Sequence, residues 1–80
     1  MTEPPASERA LIAREQVGAA RAALEALGPR VASVFRRHRL DGVSQRDITI
    51  ELGVSLSTVE NDLRRAYRAM IDLRRTFDEV

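Results

Sequence analysis

The sequence has no cysteine, no tryptophan and no lysine, and only two phenylalanines and one tyrosine among its 80 residues. Without cysteine, neither disulfides nor thiolate metal sites can staple the fold, a composition compatible with the cytoplasm. With few aromatics and a hydrophobic fraction of 44 %, the core must be built from Leu, Val, Ile and Ala. A chain this short buries only roughly 60 % of its unfolded surface, so that core is thin. No apolar run approaches the roughly 18 residues of a membrane span, and no secretory h-region is visible. His38 is the only histidine. With no cysteine and no carboxylate pair beside it, neither metal binding nor catalysis is expected there. There is no nucleophile–base arrangement and no glycine-rich phosphate loop, so no enzymatic activity and no cofactor is expected.

What the chain does have is arginine. Net charge is only +1, yet residues 30–75 carry ten Arg against six acids, while residues 1–29 and the final four residues lean acidic. The distribution matters more than the sum for a polyanionic partner. Arginine suits bidentate phosphate and guanine contacts, although an all-arginine chain also follows from GC-rich coding. Arg36, Arg37, His38 and Arg39 cluster at one helix end. There they either complement the helix C-terminus or face phosphate, and His38 reads as a helix-end cation or a phosphate neighbour.

Periodicity predicts an all-α, four-helix domain over residues 7–80, preceded by a flexible linker at 1–6, where Pro4 and Pro5 cannot sit inside a helix. The helices fall at about 7–27, 29–39, 44–52 and 56–76. Ser7 is the expected N-cap of the first. Its stripe of Ala13, Val17, Ala20, Leu24 and Leu27 is too short for a coiled coil and should pack against helices two and four. Gly28-Pro29 ends that helix and starts the second, whose inward residues are Val31, Val34 and Phe35. Leu40-Asp41-Gly42 makes a turn, and Val43 tucks into the core.

Ser44–Leu63 has the layout of a helix-turn-helix. Ser44 followed by Asp47 is a variant capping box, Ile48 and Leu52 share a face, and Gly53 sits where the chain must turn sharply. Ser55 can cap the next helix, whose Val59, Leu63, Ala66, Met70 and Leu73 repeat at inward spacing. That places Ser57, Asn61, Arg64 and Arg68 on the outward stripe, with Thr58, Glu60 and Arg65 on its flanks. Such a helix presents its first turns to the DNA major groove, where Asn suits adenine, Arg guanine and Glu cytosine. Ser44, Gln45 and Arg46, at the start of the preceding helix, form a phosphate clamp. Asp62 reads as a stabilising acid near a helix N-terminus or as a solvent residue. The bland alternative for the whole stripe is an ordinary solvated face.

The runs ALEALGPR and VFRRHRLDGVSQRDITIELGVSLSTVENDLRRAYRAM resemble region 4 of extracytoplasmic-function sigma factors, particularly the iron-uptake branch. The resemblance covers about residues 7–73 and is most specific at Leu27–Phe35, Leu40–Ser44 and Leu52–Leu63. The chain departs from the family pattern in its Leu-Gly-Pro, in Thr49, and in Glu60 and Asp62, which stand where many relatives place basic residues. The resemblance implies docking on the β-subunit flap of RNA polymerase and recognition of the −35 promoter element. It puts Ser57, Thr58, Glu60, Asn61, Arg64 and Arg65 at base- and backbone-facing positions, and Ser44, Gln45 and Arg46 toward phosphate. It further implies apolar surface between helices one, two and four that receives the flap or an anti-sigma factor. Region 2 is absent from these 80 residues, so an isolated, monomeric C-terminal domain is expected, with TEPPAS as its inter-domain linker.

Two other readings stay open on sequence. The DNA-binding domain of a LuxR-type response regulator shares the Ser-Thr-Val element but has a shorter last helix and no long helix ahead of Pro-Arg. A helical bundle binding an anti-sigma factor would have no salt-sensitive DNA association.

Overall fold

The computed structural model describes residues 6–78. Over them the chain forms α1 (Ala6–Ala26), α2 (Pro29–Arg39), α3 (Gln45–Leu52) and α4 (Leu56–Asp78), with no strand among the described residues. No helix among them is long and apolar enough to cross a membrane.

Local chemistry sets most of the boundaries. Gly28 adopts φ 108°, which lets Pro29 open α2 at once, because Pro is tolerated where an N–H would be unpaired anyway. The Ser44 side chain accepts the Asp47 N–H at 3.1 Å and caps α3. Gly53 ends α3 in the left-handed region (φ 65°, ψ 35°). There the Gly53 and Val54 N–H groups both reach the Thr49 carbonyl, at 2.9 and 3.2 Å, and a Cβ would be strained. Two residues on, the Ser55 hydroxyl accepts the Thr58 N–H at 3.1 Å and starts α4. Helix, glycine turn and capped second helix stand as the spacing predicts.

The interior consists of two adjoining clusters. Val34, Ile48, Val59 and Leu63 bring α2, α3 and α4 together, with Val43, Val54 and Tyr67 packed around them. Leu24, Val31, Ala32 and Ala66 join α1, α2 and α4, with Leu27, Phe35 and Met70 alongside. α4 contributes to both, α3 meets α2 and α4, and α1 does not touch α3.

Two expectations about the N-terminal segment are corrected. α1 begins at Ala6, so Ser7 falls within its first turn instead of preceding it; the rest of the predicted linker lies outside the described residues. The predicted stripe on α1 packs only through its C-terminal half. Leu24 is buried and Ala20 and Leu27 half-buried, whereas Ala13 is exposed and Val17 is 62 % exposed. Farther out, Leu11 and Ile12 are exposed as well. At 100° per residue, Leu11, Ile12 and Val17 point in three directions, and the unpacked end of the stripe supplies only Ala13 and Val17. It therefore offers little area to bury. α4 also runs on to Asp78, past the expected end near residue 76.

The division between packed and projecting halves is testable by thermal unfolding followed by circular dichroism. Ile48→Ala, at a fully buried site, should cost about 2–5 kcal/mol. Ile12→Ala, on the projecting half of α1, should stay within about 0.5 kcal/mol of the parent.

Candidate nucleic-acid interface

Because Val59 and Ala66 have no exposed surface, the opposite side of α4 must face solvent. Ser57, Asn61, Arg64 and Arg68 are exposed on that side, and so are Glu60 and Arg65 on its flanks. Thr58 is half-buried, and its hydroxyl lies 2.9 Å from that of Ser55, so it belongs to the cap as well as to the flank. At the start of α3, Arg46 is exposed and Gln45 half-buried, while the Ser44 hydroxyl is already engaged by the Asp47 N–H.

The arginines divide into two groups. Arg46, Arg64, Arg65 and Arg68 have side chains with no ion pair or hydrogen bond among the described residues. Other cations are held by the fold. Arg37 donates to Glu51 at 2.6 and 3.0 Å and to Asp41 at 3.0 Å, tying α2 to α3 and to the turn between them. The Arg39 guanidinium lies 5.7 Å from the Tyr67 ring centre. Tyr67 meets Phe35 edge-on at 5.9 Å, a geometry that favours aromatic pairs. The basic end of α2 is thus partly architectural. The His38 ring is tied down at one nitrogen, its Nδ1 donating to the Val43 carbonyl at 3.0 Å.

Asp62 corrects the sequence reading most sharply. Its side chain has no solvent exposure, and it receives a two-pronged contact from Arg30, Nε to Oδ2 at 2.8 Å and Nη2 to Oδ1 at 3.1 Å. It stabilises through that partner across the bundle. A signal existed in the sequence: positions 59, 62, 63 and 66 share one face at helical spacing, so an acid at 62 falls on the inward flank.

The family model described as Sigma-70, region 4 matches residues 18–70. The chain belongs to the sigma-70 region 4 family. The match starts inside α1, where packing onto the bundle begins, and takes in all of α2 and α3 and the exposed stripe of α4. A sigma region 4 domain binds the −35 promoter element as part of a sigma factor; it is a DNA-binding regulatory domain and not an enzyme family. No curated protein and no solved structure gives a significant match.

One ion pair that braces the helix-turn-helix gives a pH prediction. Hydrogen bonding from Arg37 holds the Glu51 carboxyl below its usual range, and the Arg37 charge adds to this. A carboxylate depressed in the folded state stabilises above its unfolded pKa, and that contribution fades as pH falls through the folded value. Between about pH 5 and pH 3, around the ordinary Glu value of roughly 4.3, the parent should therefore lose slightly more thermal stability than Glu51→Gln. The difference should be small because the pair is exposed. Parallel melting curves across that window check it.

Proposed function

We propose that this region 4 domain reads its −35 element with the first turns of α4 and tracks the DNA backbone with the start of α3. Asn61 pairs with an adenine edge and Arg64 with a guanine, Glu60 accepts from a cytosine amino group, and Ser57 and Thr58 approach closely. Arg65 on the flank, and Ser44, Gln45 and Arg46 with the unpaired N–H groups of α3, meet phosphates. The observation that carries this reading is the outward stripe itself. Side chains of base-reading type lie exposed on a capped helix behind a glycine turn, and their arginines have no partner among the described residues.

We assign the chain further to the extracytoplasmic-function group, iron-uptake-like branch, on the runs Leu27–Phe35, Leu40–Ser44 and Leu52–Leu63. The domain acts in the cytoplasm as a monomeric module, docked on the polymerase β-subunit flap. A cleft of about 250 Å³ between α1, α2 and α4, lined by Val17, Leu24, Ala32, Phe35, Leu40 and Met70, supports that docking. It is apolar and open, and Leu40 at its edge is 72 % exposed. An anti-sigma factor would compete for the same surface.

Four substitutions separate these roles. Asn61→Ala or Arg64→Ala should relax base preference by about 1–3 kcal/mol in competition binding between promoter variants; unchanged selectivity would count against the assignment. Arg46→Ala should weaken binding to all sequences alike and reduce the salt slope by about one. Leu40→Asp should abolish co-purification with a β-flap fragment while leaving sequence preference on DNA intact.

A further inference from the structure

We propose that the Arg30–Asp62 pair is a positioning device that sets the roll of α4 about its own axis and so decides which of its side chains meet the DNA bases. The proposal rests on the base-reading role assigned to α4 above. Asp62 is the one buried charged side chain among the described residues, at 0 % exposure, and its partner stands 32 positions away at the start of α2. It lies in the second turn of α4, next to Asn61 and one turn after Thr58, within the reading segment itself.

The apolar contacts of α4 specify its roll poorly. Near Asp62 the inward surface is made by Val59, Leu63 and Ala66, and apolar contact is non-directional. The tips of helix side chains lie about 5–6 Å from the axis, so a roll of about 30° moves them by about 3 Å, the length of a whole hydrogen bond. A planar guanidinium gripping both carboxylate oxygens fixes distance and plane together. Rolling α4 would break that fork and leave a buried carboxylate without a partner, which is costly. Arg30 has a side chain 53 % exposed, and Gly28 and Pro29 fix where α2 begins and so where its backbone stands.

Specificity and stability separate experimentally, because replacing such a pair by apolar residues of similar volume is often neutral or stabilising. The 80-residue chain is used to select duplexes from a randomised pool at low salt. Melting temperature, and the ratio of affinities for selected over scrambled duplex, are then measured for the parent, for Arg30→Met/Asp62→Leu and for Arg30→Lys, which keeps the charge but not the fork. The expected result is a melting temperature near the parent's, with the selected-to-scrambled ratio falling about tenfold, the scale of one lost base contact. Affinity for the scrambled duplex should be little changed. A folded variant that keeps the parental ratio, or that loses affinity equally for both duplexes, overturns the proposal. A parent that selects no sequence overturns the base-reading role of α4 and this inference with it, whereas variants failing to differ from a selective parent overturn this inference alone.

Discussion

Four side chains with almost no exposed surface, Val34, Ile48, Val59 and Leu63, hold α2, α3 and α4 at one point, and without that contact α4 would have no fixed outer face. Burying each such residue contributes roughly 1.5–3 kcal/mol, a large share of the roughly 5–15 kcal/mol that keeps a domain folded. In a chain this small there is little else to rely on. The second cluster, built on Leu24, Val31, Ala32 and Ala66, is rich in small residues and serves mainly to seat α1. With Val59 and Ile48 inside, the geometry of a helix leaves Asn61 and Arg64 outside.

Electrostatics then sorts the cations. Arg30 and Arg37 are held by carboxylates, and Arg39 by an aromatic ring, where they brace the ends of α2 against α4, α3 and the intervening turn. Arg46, Arg64, Arg65 and Arg68 are exposed and have no side-chain partner among the described residues. A net charge of +1 therefore conceals a group of unengaged arginines on α3 and α4. The apolar cleft between α1, α2 and α4 lies on other side chains of different chemistry, so the two proposed surfaces do not overlap.

The features legible in the sequence were those set by neighbours in the chain. Ser44, Gly53 and Ser55 announce two helix starts and one stop through backbone hydrogen bonds that reach only three to five residues. Gly28-Pro29 does the same for α2. Less legible was anything that depends on a distant partner. The pattern on α1 looks continuous from Ala13 to Leu27, but only its end meets other helices.

The helices, their caps and the outward identity of Ser57, Asn61 and Arg64 were written in the sequence, because periodicity and capping act within a few residues of each position. The pairing of Arg30 with Asp62, the tethering of Arg37 to Glu51, the cleft beside Phe35 and Met70 and the projecting start of α1 were decided only by the tertiary structure. Each of these depends on where two segments cross, and a charge or an apolar side chain gains its meaning there from what stands opposite.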